Sequence, residues 1–440
     1  MIPSTRVNRQ WAYFLYDFLG FFFVFVSLPW VLVKLIRKPK FGKHLKARLG
    51  YFRHELKTTT LRFLLHGVSV GEVKALIPLR KELHAEFPDA EILVSASTES
   101  GLETAVKHFG QKSVVPFPLD FPWACRRFFK NIQPTHVILA ELEIWPNFLR
   151  QASSRDVPVG LVNGRITENS LLGYKKVQRI LPQFDKISFF GVQNEVYGKR
   201  FEALGVPVDE IWITGNLKFD VGRDAVKGKS VWQNLPSDHP VFVFASTHAP
   251  EEFEIGIQLA ALDVTEKGIW LFFPRHPHRA PTVFSQLKER FKPRDCVLYS
   301  EWIRQIPTHP VRCVIVDQFG LLESAYPICV GAFVGGSLMK HGGQNVLEVS
   351  AYGRPVVVGP YTENFVDEVH LLAQSGGLRR ENNAEGVVKC LLSWADLPDQ
   401  AAALGGKGRS ALFSHRGASR NTLNALQKAG FFTAFPLVHG

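Results

Sequence analysis

Short apolar runs alternate with longer amphipathic stretches along most of the chain. Seven runs in the first half predict buried strands, at residues 61–65, 92–94, 114–115, 137–139, 159–162, 187–190 and 211–214. Five more follow in the second half, at residues 241–245, 270–273, 314–316, 328–334 and 355–358. Strands that alternate with helices indicate βαβ units and parallel sheets. We therefore predict an α/β protein with two Rossmann-like, doubly wound domains.

The N-terminal pattern is different, because residues 18–33 form a run of sixteen without a charged side chain. Extension back to Tyr13 gives roughly the 20 residues that cross a bilayer, with Asp17 near one end. No cleavage site of small residues follows, so we interpret the run as a retained anchor. A buried core helix is the alternative, and Pro29 and Asp17 leave open a helix that lies in the membrane interface.

A basic segment follows the anchor directly. It holds eight basic residues and no acid, namely Lys34, Arg37, Lys38, Lys40, Lys43, Lys46, Arg48 and Arg53. The net charge is +12, and without these eight residues it is only +4, so the excess is largely local. The positive-inside rule then predicts that the rest of the chain is cytoplasmic and touches an anionic leaflet. An anionic membrane explains the basic balance, and we predict no nucleic-acid partner.

At 440 residues the chain is long enough for two domains and an appendage. A polar stretch at 218–235 reads as a linker, so we divide the chain into residues 1–40, 41–225 and 226–440, the last ending in a helix. The five cysteines are scattered and none forms a C-x-x-C pair. A disulfide framework or a structural zinc site is therefore not predicted.

Polar residues collect just after the predicted strands of the first half. Glu72 follows a glycine-flanked turn at a helix start, and Glu141 and Glu143 follow a buried strand. Arg165 and Lys218 follow two later strands. Ligand sites of open α/β sheets lie at the carboxyl ends of the strands, which favours a binding site built from these side chains. The alternatives are a first-turn glutamate without a chemical role and a solvated loop.

A glycine-rich turn at residues 333–353 joins a buried strand to a helical pattern that begins near Asn345. It contains the pairs Gly335-Gly336 and Gly342-Gly343. Glycine lets the backbone approach a ligand, and free N–H groups at a helix start attract phosphate. Neither the dinucleotide fingerprint nor a P-loop is present. The turn therefore predicts a phosphate site, with a simple packing turn as the alternative; Glu348 is placed to accept bonds from ribose hydroxyls.

Hydrogen-bond donors and cations end two other strands of the second half. Ser246, Thr247 and His248 follow one strand, and Arg275 and His276 follow the next. An anion such as a phosphate or carboxylate is the natural ligand of this set. A zinc site from His248, His276 and His278 is conceivable but lacks an ordered ligand spacing. No G-x-S-x-G motif supports a serine hydrolase.

Taken together, the motifs resemble those of the 3-deoxy-D-manno-octulosonic acid (Kdo) transferases of lipopolysaccharide biosynthesis, glycosyltransferase family 30. The matching segments occur in family order at residues 68–72, 143–147, 214–218, 245–248, 275–277, 333–337 and 342–348. The family differs at some neighbouring positions, such as Gln344 where histidine is common.

The resemblance implies the GT-B fold, in which two Rossmann-like domains face a cleft. It implies that residues 41–225 bind the acceptor, a tetra-acylated lipid A precursor, and that residues 226–440 bind the donor, CMP-Kdo. The reaction inverts the anomeric carbon and needs no cofactor or metal. The enzyme is expected at the cytoplasmic face of the cell inner membrane, held by the single N-terminal anchor.

The same resemblance implies a role for each candidate site residue. Glu72 is the general base, and Arg165 or Lys218 binds the Kdo carboxylate. Glu141 and Glu143 belong to the acceptor and Kdo side. The donor-binding residues are Ser246, Thr247, His248, Arg275, His276, Gly336, Ser337, Gly343, Asn345 and Glu348.

Two alternatives remain open beside this hypothesis. One keeps the fold and changes the chemistry, to a transferase with another nucleotide-sugar donor or an epimerase. The anchor argues against a soluble epimerase. The other is a membrane-tethered nucleotide-binding scaffold without catalysis, for which Glu72 would have no use.

Overall fold

The computed structural model describes residues 10–37, 39–59, 61–220, 231–292, 295–305 and 309–433. Its α-helices are α1 Gln10–Arg37, α2 Pro39–Arg48, α3 Val70–Glu86, α4 Glu99–Phe109, α5 Pro122–Ile132, α6 Pro146–Ser153, α7 Glu168–Ile180, α8 Glu195–Glu202, α9 Glu251–Ala261, α10 Ala280–Leu287, α11 Tyr299–Trp302, α12 Leu322–Ala325, α13 Leu347–Ala351, α14 Val366–Gln374, α15 Ala384–Asp396, α16 Pro398–Ser414 and α17 Ala418–Lys428. Its strands are β1 Arg62–His66, β2 Glu91–Ala96, β3 Val114–Pro116, β4 His136–Ala140, β5 Val159–Gly164, β6 Phe189–Val192, β7 Ile211–Ile213, β8 Val241–Thr247, β9 Ile269–Pro274, β10 Cys296–Leu298, β11 Cys313–Ile315, β12 Gly331–Val334, β13 Val356–Val358 and β14 Leu378–Arg380.

The first compact unit comprises residues 10–220 together with 416–433. Its seven strands form a parallel sheet in the order β3-β2-β1-β4-β5-β6-β7. Most of these strands are buried on both faces, as their continuous apolar runs require, because helices cover a parallel sheet on each side. The neighbouring strands β1, β4 and β5 end at one edge, which collects the residues that follow them.

The second unit, residues 231–415, has the same architecture. Its parallel sheet runs β10-β11-β9-β8-β12-β13-β14. Strand β8 lies between β9 and β12, so the residues after these three strands also share one edge. The predicted fold class of two Rossmann-like α/β domains is confirmed. The sequence missed β10 and β14; β14 has one buried residue and two exposed arginines, so it lacks an apolar run.

Two predicted features are different in the structure. Helix α17 belongs to the first unit, although the sequence assigned the C-terminal helix to the second domain. Leu423, Leu426 and Phe431 pack into the core that contains Phe63 of β1. The helix expected from near Asn345 begins at Leu347 and is short, because it ends at Ala351. The boundary expected at 225 lies outside the described residues, and so does most of the apolar C-terminal tail.

Helix α1 contains the predicted anchor. It is long and apolar enough to cross a membrane, and its most apolar window is 0% buried. A core helix would be buried, so this exposure does not fit the core-helix alternative. The exposed apolar surface of α1 instead favours contact with a membrane. Tyr13, Tyr16 and Asp17 of α1 bond to other side chains of the first unit, whereas Trp11, Phe14 and most side chains after Asp17 are exposed.

Candidate functional site

Glu72 lies in the first turn of α3, just after β1. The side chain of Ser69 caps this helix and donates from its hydroxyl to Glu72 Oε1 at 2.7 Å. The backbone N–H of Val68 donates to Glu72 Oε2 at 2.7 Å. Thr98 fixes the same turn by donating its hydroxyl to the carbonyl of Val68 at 2.8 Å. The carboxylate of Glu72 is therefore oriented by two short bonds and a braced loop.

Glu141 and Glu143 follow β4, which pairs with β1. Glu141 has a left-handed backbone, with φ of 61°, where the chain turns away from the strand. Its Oε1 lies 2.8 Å from Nζ of Lys218. The indole N–H of Trp145 donates to Glu143 Oε2 at 2.9 Å. Adjacent strand ends therefore bring two further carboxylates and a lysine to the side of the sheet that carries Glu72.

Lys218 owes its place to Asn163 at the end of β5. The side-chain oxygen of Asn163 accepts the backbone N–H of Leu217 at 2.9 Å. Asn216 then accepts the backbone N–H of Lys218 at 3.0 Å through its own side chain. Arg165 is half-buried two positions after Asn163. The structure thus brings together all the predicted residues of the first unit at one sheet edge.

The carboxylates influence one another. Burial raises the pKa of Glu72, and the nearby charge of Glu141 raises it further, against the hydrogen bonds of Val68 and Ser69. Burial, and then the charge of Glu72, raises the pKa of Glu143 to about 7. Perturbed carboxyl groups that face one another in this way are typical of sites that move protons.

In the second unit, Ser246, Thr247 and His248 end β8 and Arg275 and His276 follow β9, as predicted. The backbone N–H of Arg275 donates to the carbonyl of Thr247 at 2.9 Å. Thr247 is fully buried, whereas Arg275 is half-buried and His276 is exposed. Burial, and then His341, lowers the pKa of His248 to about 4, so this ring is neutral at physiological pH.

The glycine-rich turn follows β12 and lies against the same residues. A Cβ added at Gly336 would come within 3.3 Å of the His248 ring, so glycine permits a close approach here. The turn closes on itself, because the N–H of Gly343 donates to the carbonyl of Gly336 at 2.8 Å. Ser337 is fully buried and donates its hydroxyl to the carbonyl of Val334 at 2.5 Å.

A buried carboxylate that the sequence analysis did not single out holds this turn. Glu251, in the first turn of α9, accepts the backbone N–H groups of Gly336, Ser337 and Leu338 at 2.8–3.0 Å. It also accepts the N–H of His248 at 2.8 Å. These three N–H groups therefore have a protein carboxylate as their partner. The predicted phosphate site at the N–H groups of the helix start near Asn345 stays a prediction.

The remaining donor-side residues lie close to the turn. Asn345 accepts the N–H of Leu347 at 3.0 Å and so starts α13. Burial, and then the charge of the half-buried Glu348 in α13, raises the pKa of the Tyr326 phenol. Among the residues that the structure describes, no group of three or more histidine, cysteine or acidic side chains is arranged to hold a metal ion.

Sequence reasoning also missed His341, whose ring stacks on His248 with 4.7 Å between centroids. It missed the bidentate pair of Arg279 and Glu252, with N–O distances of 3.0 and 3.1 Å, which braces the end of β8. The acidic pair after His248 in the sequence was a usable signal. First-turn glutamates are common on helices, however, so the pattern alone does not reveal that these two are buried.

Comparison with known proteins shows the family to which this chain belongs. A family model described as 3-deoxy-D-manno-octulosonic-acid transferase (kdotransferase) matches residues 43–221. The chain is 31% identical over 404 residues to a 3-deoxy-D-manno-octulosonic acid transferase of Haemophilus influenzae, covering 89% of this chain and 92% of that relative. It is 30% identical over 427 residues to a 3-deoxy-D-manno-octulosonic acid transferase of Chlamydophila psittaci, covering 94% of this chain and 95% of that one.

Among solved structures, the chain is similar to the UDP-GlcNAc 2-epimerase of Neisseria meningitidis bound to UDP-GlcNAc. The TM-score is 0.58 at 12% identity, over 84% of this chain and 100% of that one. A likeness at this identity concerns the fold alone, namely the two Rossmann-like domains. The family comes from the sequence relatives, which span nearly the whole chain: the protein belongs to the 3-deoxy-D-manno-octulosonic acid transferases and is a glycosyltransferase.

Proposed function

We propose that this chain transfers Kdo from CMP-Kdo to a hydroxyl of a lipid A precursor, with inversion at the anomeric carbon and with Glu72 as the general base. In this step the acceptor oxygen forms a bond to the anomeric carbon. The bond from that carbon to the phosphate oxygen breaks, and CMP leaves with the electron pair. Glu72 takes the proton of the attacking hydroxyl.

The observation that carries this proposal is the setting of Glu72. Its carboxylate is fixed by Ser69 and Val68, at 2.7 Å each. Its pKa is raised by burial and by Glu141. A base accepts a proton more readily as its pKa approaches the working pH, provided that enough of it remains ionised. Orientation and raised basicity are the two properties that an inverting displacement needs from this group.

Glu141, Glu143, Lys218 and Arg165 are the residues that we assign to the acceptor and to the Kdo carboxylate. An ammonium group carries three N–H donors, so the ion pair of Lys218 with Glu141 is compatible with a bond to a second carboxylate. Movement of Lys218 toward Kdo would also leave Glu141 less neutralised, which raises the pKa of Glu72 further. Donor binding and base strength would then be linked.

The donor is assigned to the second unit. Since Glu251 occupies three N–H groups of the glycine-rich turn, we assign phosphate contacts to side chains as well. Ser246, His248, Arg275, His276 and Asn345 are the candidates, with Arg275 as the charged one. The turn itself, with Gly336, Ser337 and Gly343, allows the donor to approach the backbone closely. The buried Thr247 packs beneath the turn. Glu348 is proposed for the ribose hydroxyls. We expect no metal or cofactor in the reaction.

We place the reaction at the cytoplasmic face of the inner membrane, with α1 as the anchor. The apolar surface of α1 and the basic residues after it suit an anionic bilayer. The proposed acceptor is itself an anionic lipid, so enzyme and substrate would meet at the same surface.

The test is transfer from freshly generated CMP-Kdo to a tetra-acylated lipid A precursor, with mass spectrometry to count the sugars added. Wild type is compared with Glu72→Gln, and Glu103→Gln, an exposed glutamate on α4, serves as the matched control. We expect product from wild type and from the control, and a loss of at least about 100-fold in kcat for Glu72→Gln.

Three outcomes separate the parts of the proposal. Equal rates for wild type and Glu72→Gln would leave the transfer reaction intact and remove Glu72 as the base. An absence of product from wild type that still binds CMP would reject the acceptor or the sugar. Retention of the donor's anomeric configuration in the product would reject inversion.

A further inference from the structure

The first turns of α1 are bonded to the protein through one face. Tyr13, Tyr16 and Asp17 have the spacing that puts side chains on one side of a helix. Asp17 Oδ1 accepts a hydrogen bond from Asn147 Nδ2 at 2.7 Å. The hydroxyl of Tyr16 donates to Asp120 Oδ2 at 2.9 Å. This part of the predicted anchor is therefore a docked element of the first unit.

The partners of Tyr16 and Asp17 meet at the N-terminus of α6: Asn147 belongs to this helix, and Asp120 lies just before α5. Asp120 accepts the backbone N–H groups of Asn147 and Phe148 at 3.0 and 2.8 Å, which caps the helix. Asn147 is fully buried and donates a second bond from Nδ2 to the carbonyl of Asp120 at 2.8 Å. Arg150, one turn further along α6, has its guanidinium 4.7 Å from the ring centre of Tyr13.

The residues just before α6 carry the acceptor-side carboxylates. Trp145 is the N-cap of α6 and bonds Glu143 at 2.9 Å. Its ring lies 6.2 Å from that of Phe117, which stacks on His66 at the end of β1 with 3.6 Å between centroids. The loop that holds Glu141 and Glu143 therefore leads directly into α6, the helix to which α1 is bonded.

The apolar surface of α1 already includes Trp11 and Phe14, which are 55% and 72% exposed, and it continues after Asp17 without a charged residue as far as Val33. Phe18, the residue after Asp17, is 57% exposed, and Phe22, Phe23 and Phe25 are 58%, 72% and 73% exposed. An acidic side chain at the end of such a segment is costly unless it is paired. Asp17 has Asn147, and Arg150 lies 3.7 Å away. The uncharged apolar segment of α1 therefore starts directly after the bonded Asp17.

We propose that Tyr16 and Asp17 are positioning residues: by holding the N-terminus of α6, they fix the Glu141–Glu143 loop at the bilayer surface, where a lipid acceptor presents its hydroxyl. This proposal rests on the proposed function, because it gives α1 a role in acceptor geometry beyond tethering. A tether would need only the apolar segment. The bonds of Tyr13, Tyr16 and Asp17, the last of them to the buried Asn147, hold the first turns of α1 in one position on the first unit.

The test uses the full-length protein in vesicles that contain an anionic lipid. The variants are Asp17→Ala, Tyr16→Phe, Asn147→Ala and the double variant Asp17→Ala with Asn147→Ala. Phe23→Leu on the exposed face of α1, Asp89→Ala at an exposed turn and Tyr51→Phe at a half-exposed ring are the matched controls. The measurements are membrane association, kcat and KM for each substrate, and amide hydrogen exchange of residues 143–150.

For Asp17→Ala and Tyr16→Phe we expect full membrane association, an unchanged KM for CMP-Kdo and a kcat about 10-fold lower. A misplacement of about 1 Å at a reacting group costs up to 100-fold in rate, so partial loosening predicts the smaller figure. Exchange at Asn147 and Phe148 should become faster. The double variant should lose less than the sum of the losses of Asp17→Ala and Asn147→Ala, because both variants remove the same bond.

An unchanged kcat together with unchanged hydrogen exchange in both Asp17→Ala and Tyr16→Phe would overturn the proposal and leave α1 as a tether. If the loss of kcat in the double variant equals the sum of the losses in the two single variants, the Asp17–Asn147 bond does not carry the effect. If Asp17→Ala does not fold, Tyr16→Phe decides, since it keeps the ring and removes one hydroxyl. If wild type forms no product, the proposed function fails. Hydrogen exchange of residues 143–150 then still tests whether α1 holds the N-terminus of α6.

Discussion

Nζ of Lys218 lies 2.8 Å from Oε1 of Glu141, in a site where Glu72 and Glu143 are the other carboxylates. The lysine neutralises one of three acidic groups and lowers the pKa of Glu72, while Glu141 raises it. The base strength of Glu72 is therefore a balance. Its burial and Glu141 raise its pKa, whereas the hydrogen bonds of the Ser69–Val68 turn and the charge of Lys218 lower it.

Glu141→Gln should move the acid limb of the pH profile of kcat/KM to lower pH. The variant removes the charge that raises the pKa of Glu72, and Lys218 remains to lower it. A lower pKa keeps Glu72 ionised, and so active as a base, at more acidic pH. The profile of the Glu103→Gln control should follow wild type. An acid limb that stays in place or moves to higher pH would show that Glu141 does not set the pKa of the base.

Glu143→Gln should stabilise the protein more at pH 8 than at pH 4. The pKa of Glu143 is raised to about 7 in the folded protein from 4.5, so the folded state holds its proton more tightly. That stabilisation is present below pH 4.5 and is lost as the pH rises to about 7. Glutamine, which does not ionise, avoids the loss and still accepts the bond from Trp145.

The expected size of this effect is modest. The full shift corresponds to roughly 3 kcal/mol, and we take about 2 kcal/mol after partial screening. The melting temperature of Glu143→Gln should then exceed that of wild type by roughly 4–8 °C at pH 8 and by little at pH 4. Equal differences at both pH values would contradict the raised pKa.

Much of the fold and the position of the site could be predicted from local sequence. Buried parallel strands are continuous apolar runs, and the polar residues after them must gather at one sheet edge. Glu72, Glu141 and Lys218 were found in this way, as were Ser246 and Arg275. Their assignment to a transferase site came from the order of several motifs together and stays a prediction.

The features that sequence could not predict depend on partners far apart in the chain. Glu251 bonds Gly336 across 85 positions, and Asp17 bonds Asn147 across 130. Helix α17 is amphipathic, and an amphipathic pattern states that a face is buried without stating against which core. Its location in the first unit follows from contacts with residues such as Phe63, which no local pattern encodes.

Glu251→Gln should weaken CMP binding at least about 10-fold and lower stability. The carboxylate accepts four backbone N–H groups, from His248, Gly336, Ser337 and Leu338. An amide keeps one acceptor oxygen and turns donors toward the other groups, and each buried donor left without a partner costs about 1–3 kcal/mol. Calorimetric titration with CMP and thermal unfolding measure the two effects.

The exposed Glu289 of the same unit gives the matched control, Glu289→Gln. Unchanged CMP affinity in a Glu251→Gln variant that is clearly less stable would mean that the shape of the turn does not govern donor binding. Unchanged stability would mean that the turn keeps its shape without the carboxylate.

Asp220→Ala should destabilise the first unit by about 1–2 kcal/mol through loss of a helix cap. Oδ1 of Asp220 accepts the N–H of Gly417 and Oδ2 accepts that of Ser419, both at 2.7 Å, at the start of α17. Asp220→Asn keeps one accepting oxygen and should lose about half as much. Because α17 packs on the core around Phe63, its release exposes Leu423 and Leu426 as well. Hydrogen exchange of residues 417–428 should rise in the order wild type, Asn, Ala; equal protection in all three would mean that packing alone holds α17 on the first unit.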